Sequence, residues 1–171
     1  MKRYFITLAS TLILFTLGAH AQNMSTAHLP ETATQYLDDK PLLLPRDLTG
    51  DRTLLLVAFE RDQRPALTTW VNSLHLATNK IAWMEVVVVG PQNAFVHAMI
   101  VRGMRRESED SAFRDKLLPI FSDQEAFATA MGLSVKSPYA VLVDRRGAVI
   151  AVSKGEYSQA KAEALLPEFK P

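Results

Sequence analysis

Residues 52–70, RTLLLVAFERDQRPALTTW, constrain the fold of this chain more than any other stretch. Residues 54–59 form an apolar run bounded by charges, of a length that suits a strand buried on both faces. A charged loop follows at residues 60–64. Pro65 then fits the first turn of a helix, where its missing N–H is not needed. Leu67, Trp70, Val71 and Leu74 stand at i, i+3, i+4 and i+7, which is one helical face. Residues 81–89 end in four consecutive valines, a β-branched run that predicts a central strand. Strand, helix and strand in this order predict a right-handed βαβ unit with parallel strands.

The rest of the chain adds elements around that unit. Residues 41–44 are short and apolar with Pro45 behind them, and read as an edge strand. A second helix is expected over 93–106, apolar through Phe95, Val96, Met99, Ile100 and Val101, with Arg102, Arg105 and Arg106 along one side. Residues 107–115 are strongly charged and read as a solvated helix or loop. A short strand is expected over 117–121. Ser122 and Glu125 have the spacing of a capping box, so a helix should start at Ser122 and end at Gly132. Ser137-Pro138 leads into a strand over 139–143. Asp144-Arg145-Arg146-Gly147 turns it back antiparallel, and Ser158 caps a last helix that Pro167 stops.

Residues 1–21 have the pattern of a secretory signal peptide. Lys2 and Arg3 precede an apolar run, and Ala19-His20-Ala21 is a small-x-small cleavage site with the cut before Gln22. The run is shorter than the roughly 20 residues of a spanning helix, so no membrane span is expected after cleavage. Residues 22–40 are polar without sustained periodicity and read as a flexible leader; the folded domain is expected over 41–171. The expected location is therefore periplasmic or secreted. The formal net charge is +1, and loss of Lys2 and Arg3 would leave the mature chain near neutral. General nucleic-acid binding needs a basic face and is not expected. Cysteine is absent from the whole chain, which excludes disulfides, thiol catalysis and thiolate metal ligation. A chain of this length buries about two-thirds of its unfolded surface and needs no such staple.

The order of these elements is similar to the thioredoxin fold: an α/β, three-layer sandwich with a mixed central sheet and flanking helices. Residues 54–66, LLLVAFERDQRPA, resemble the strand and active loop of thioredoxin-like and peroxiredoxin-like proteins. The segment LPIFSDQEAFATAMGL resembles their strand running into a helix that ends in glycine, and residues 137–155, SPYAVLVDRRGAVIAVSKG, their proline-entered hairpin. The resemblance places Gln63 and Ala66 where a CxxC pair would stand. It thus implies the fold without thiol exchange or cysteine peroxidase chemistry. A narrower resemblance, carried by the Gln63 loop, the helix with Trp70, the arginine-bearing helix and the Asp-Arg-Arg-Gly hairpin, is to redox-inactive relatives of the mitochondrial factor that assembles ATP synthase subunit 6. It implies help in membrane-complex assembly.

The resemblance also implies a cis-proline at Pro138 facing the loop. Gln63, Arg64, Pro65 and Pro138 would then converge at one end of the sheet. There the free N–H groups of a helix start favour an extended peptide or a small anion. Arg102 and Arg106 are further candidates for a carboxylate or phosphate, set against a solvated face pairing with Glu107, Glu109 and Asp110. His75 and His97 form no ligand pattern, so neither metal nor cofactor is expected. Methionines 84, 99, 104 and 131 and Trp70 read as core, and Asp144 as a turn residue. The expected function is a redox-inactive binding or assembly module for a protein or peptide segment of the cell envelope. The alternatives are a non-thiol enzyme using Arg64 on a small anionic substrate, and a structural domain that binds through an apolar patch.

Overall fold

The valine run sits in a strand with hydrogen-bonded neighbours on both sides, as burial of both its faces requires. In the computed structural model, which describes residues 27–107 and 111–167, that strand belongs to a five-stranded mixed sheet. In chain order the elements are β1 (Thr32–Gln35), β2 (Pro41–Leu44), β3 (Arg52–Ala58), a 3-10 turn (Arg61–Gln63), α1 (Arg64–Ser73), β4 (Trp83–Val89), α2 (Ala94–Glu107), α3 (Ser111–Arg114), β5 (Leu117–Phe121), α4 (Gln124–Ala130), β6 (Tyr139–Asp144), β7 (Val149–Lys154) and α5 (Gln159–Leu165). The sheet runs β5-β4-β3-β6-β7. β4 is parallel to β3 and β5, and β6 is antiparallel to β3 and β7. This is the expected α/β architecture: a mixed central sheet with helices on both faces, and the first long strand in the same sheet as the proline-entered hairpin.

Alternation along β3 sorts the core. Leu55 and Val57, with Phe59 just beyond the strand, face α4 (Phe127, Ala128) and β2 (Leu42, Leu44). Leu54, Leu56 and Ala58 face α1 (Leu67, Trp70, Val71) and α5 (Ala162, Leu165). On this second side α2 covers only a small cluster, Val87, Val101, Leu117 and Leu37. Trp70 is fully buried, and its indole N–H donates to the Gly155 carbonyl at 2.9 Å, which ties α1 to the end of β7. The β6–β7 turn is closed by Asp144, whose Oδ1 accepts from the N–H groups of Arg146 and Ala148, each at 2.8 Å. Gly147 there has φ +91°, and a Cβ on it would fall 2.8 Å from Pro45, so the turn needs glycine.

Three expectations are corrected. The leader read over 22–40 belongs to the fold from residue 27. β1 pairs antiparallel with β2, Thr34 Oγ1 donates to the Pro119 carbonyl at 2.7 Å, and Leu29 and Leu37 are buried. A four-residue strand anchored by isolated leucines has too little periodicity to read. The fourth helix starts one residue late: Asp123, not Ser122, caps it by accepting from Ala126 N–H at 2.8 Å. Ser122 N–H is still bonded to the Val89 carbonyl at 3.1 Å and so extends the β4–β5 pairing. Pro138 is trans; among the described residues the cis bond is Leu44–Pro45. At the entrance of β6 the ordinary trans preference of an X-Pro bond prevails. The signal-peptide reading of residues 1–21 lies outside the described residues.

Candidate binding groove

β3 ends because side chains take over the backbone of the next residue, Phe59. Its N–H donates to Gln63 Oε1 at 2.9 Å, and its carbonyl accepts from Gln124 Nε2 at 2.7 Å. Gln124 Nε2 also donates to the Val88 carbonyl at 2.7 Å, near the end of β4. Gln63 Nε2 donates to the Val135 carbonyl at 2.8 Å, on the segment that leads into β6. Two glutamines therefore clamp the carboxyl ends of β3 and β4 and satisfy buried polar groups that leave the ladder there. Gln63 uses both ends of its amide in doing so. The position that the resemblance gives to a cysteine is occupied by a structural clamp.

On the α2 side of this clamp lies a groove of about 430 Å³. It opens beyond the carboxyl ends of parallel strands, where open α/β sheets commonly place ligands. Phe59, Val87 and Val89 line its sheet side. Ile100, Gly103, Met104 and Glu107, spaced three and four apart, make one face of α2 its opposite wall. A Cβ built on Gly103 meets nothing within 4 Å, so the helix backbone itself is open to the groove at that point.

The rim is held by alternating charges. Glu85 stands in the middle of β4 at 7% exposure, and Arg64 Nε donates to its Oε1 at 2.7 Å. Arg64 Nη1 lies 3.5 Å from Glu107 Oε2, and Arg61 Nη2 donates to Glu107 Oε1. A carboxylate taken this far from water is tolerated only when paired, and Arg64 is placed at the first position of α1 to reach it. Both arginines of the rim are thus engaged by carboxylates.

Of the six residues singled out in the sequence, Arg64 alone lines the groove. Gln63 is turned inward as a clamp. Pro65 is exposed at the start of α1. Pro138 does reach the same end of the sheet, since Tyr139 pairs with Val57, but it stands on the β6 side of β3, away from α2. Arg102 and Arg106 are exposed on the outside of α2. Arg105, by contrast, donates to the Leu37 carbonyl at 2.7 Å and to Asp39, and fastens α2 to the segment after β1. Sequence reasoning passed over Glu85 and Gln124, and placed Glu107 only as a surface partner of Arg102 and Arg106, whereas it pairs with Arg61 and Arg64. For Glu85 a signal existed: it is the one charge inside WMEVVVV. Gln124 and Glu107 gave none, because their partners are 36 to 65 residues away.

The architecture is the thioredoxin-like fold, and solved structures share it. The chain is similar to the pneumococcal exposed lipoprotein thioredoxin Etrx1 of Streptococcus pneumoniae, at 15% identity and TM-score 0.55, over 82% of this chain and 100% of that one. It is similar to BsSco, of the Sco family of cytochrome c oxidase assembly proteins, at 14% identity and TM-score 0.58, over 83% and 91%. It is similar to the thioredoxin domain of a thiol-disulfide oxidoreductase from Bacteroides vulgatus, at 13% identity and TM-score 0.53, over 84% and 96%. Identities this low establish the fold alone. No protein-family model and no curated protein matches the sequence. The fold is shared while the chain carries no cysteine.

Proposed function

We propose that this protein is an exported, redox-inactive thioredoxin-like module that holds a segment of an envelope protein in the groove between β3, β4 and α2. One observation carries the reading: the groove stands beside the loop where thiol chemistry would occur, yet its walls are apolar side chains and its rim arginines, Arg61 and Arg64, are already paired with Glu107, with the Glu60 carboxylate beside them. A long apolar wall with a polar rim suits a peptide with alternating side chains. It does not suit a small anion, because Arg64 is committed to Glu85 and Glu107. The groove lining also contains no Ser, Thr, His or Lys, which weakens the reading of a non-thiol enzyme. The resemblance to the subunit 6 assembly factor, and the signal-peptide pattern, give the role its setting: help in assembling a membrane complex outside the cytoplasm.

The test is site-specific photo-crosslinking in cells, from a probe at Met104 on the groove wall and from a control probe at Lys161 on α5. The expected result is an adduct with an envelope protein from Met104 only. It should be lost when Gly103→Leu fills the groove without lowering the melting temperature. Equal adducts from both positions, or an adduct indifferent to Gly103→Leu, would remove the groove from the account. The mature N-terminus in envelope fractions tests export, and a chain retaining Met1 there would contradict cleavage before Gln22.

A further inference from the structure

The two most exposed large apolar side chains among the described residues both stand on α2: Phe95 at 77% and Met99 at 57%. Arg102 and Arg106 continue the same spacing, at i+7 and i+11 from Phe95. At 3.6 residues per turn these four lie within roughly 60° of one another, on the solvent side of the helix, apart from the face that lines the groove. The stripe is sorted along the helix axis: its first half is apolar and its second half cationic. Residues 94–106 contain no Asp or Glu. Glu107 faces the groove, where Arg61 and Arg64 hold it, and no described carboxylate pairs with Arg102 or Arg106.

We propose that this stripe docks an acidic amphipathic helix of a partner protein. Apolar residues of that helix cover Phe95 and Met99, and its Asp or Glu residues sit over Arg102 and Arg106. Charge complementarity selects the occupant. Two guanidinium groups beside an apolar patch repel a basic partner, give a neutral one no charge pairing, and orient an acidic one. A second copy pairing stripe to stripe supplies no carboxylate, since an antiparallel pairing of two stripes sets Arg against Phe and Met, and a parallel one sets Arg against Arg. A membrane surface fits poorly as well. A helix lying in the lipid interface has apolar and basic residues on different sides along its whole length. Here both kinds share one azimuth, so immersing Phe95 and Met99 would carry the arginines to the same depth. This surface goes beyond the groove reading and does not depend on it.

The test uses the full mature chain and a fluorescent synthetic helix with Leu at the positions facing Phe95 and Met99 and Glu at those facing Arg102 and Arg106. Its twin has Lys in place of each Glu. The expected result is binding of the Glu peptide that weakens as salt rises. The Lys twin should bind at least about tenfold more weakly. Phe95→Ser/Met99→Ser should lose binding by more than about tenfold. Arg102→Gln/Arg106→Gln should lose most of the salt dependence. Circular dichroism and melting temperature should be unchanged in both variants, because no core contact is removed. Gly103→Leu should leave this binding intact, which separates it from the groove. Equal affinity for the two peptides, or no binding of either, would overturn the proposal. So would binding only to vesicles of equal parts phosphatidylcholine and phosphatidylglycerol, in favour of a membrane surface. Self-association abolished by the same substitutions would overturn it in favour of a second copy.

Discussion

α1 and α2 pack on the same side of the sheet, yet they are built for different ends. α1 has 10 residues and buries Leu67, Trp70 and Val71. α2 has 14 residues and buries Val101 alone. Helix stability in proteins comes mainly from the apolar face that packs, so the longer helix contributes less to the core. What α2 offers instead is surface: a groove wall on one side and the Phe95–Arg106 stripe on another. Truncation should expose the contrast. Trp70→Ala removes a fully buried indole and its hydrogen bond, and should lower stability by about 3–5 kcal/mol. Val101→Ala should lower it by about 1–2 kcal/mol. Urea unfolding measures both, and equal losses would break the comparison.

The seam between the two helices is polar, and its weight can be separated from its role in binding. Arg64→Met leaves Glu85 buried without its partner and should cost about 3 kcal/mol, the low end for a broken buried pair because the arginine is partly exposed. Adding Glu85→Leu removes the stranded charge and should recover most of that loss, since apolar replacement of both partners is often neutral. A double variant as unstable as Arg64→Met would show that the seam stabilises through more than pairing. Gln63→Ala should cost about 1–3 kcal/mol by stranding the Phe59 N–H and the Val135 carbonyl. A loss within a few tenths of a kcal/mol would mean that water replaces the clamp.

These residues also mark how far the sequence could be read. Core strands and helices were legible because each carries a local period: the valine run, the i, i+3, i+4 face of α1, the Pro-entered hairpin with its Asp and Gly. The segment 27–40 was not, since β1 is held by pairing with β2 and by a Thr34 bond to Pro119, contacts that no local pattern announces. The site was legible only as a location. Gln63, Pro65 and Pro138 do come to one end of the sheet, but a single chain position does not say which way a side chain turns. Gln63 turned inward because Phe59 N–H and Val135 carbonyl needed partners once β3 ended. Pro138 fell on the β6 side because strand order, not spacing, decides which residues flank a groove. Glu85 was the readable exception, a lone charge where alternation allows only apolar contact.

The smallest expected effect is the most informative about α2. Gly103 lies inside the helix, where glycine is less favourable than alanine by about 0.5–1 kcal/mol. Its φ is not in the left-handed region and a Cβ would touch nothing within 4 Å, so neither backbone strain nor packing requires glycine there. Gly103→Ala should therefore raise stability by up to about 1 kcal/mol, a few degrees in melting temperature for a chain of this size. If the open backbone at 103 exists for an occupant, the same methyl group should weaken crosslinking from Met104. Stability and binding would then move in opposite directions on one substitution. A gain in both would mean the gap at Gly103 serves no ligand, and the surface that sets α2 apart from α1 would be reduced to the Phe95–Arg106 stripe.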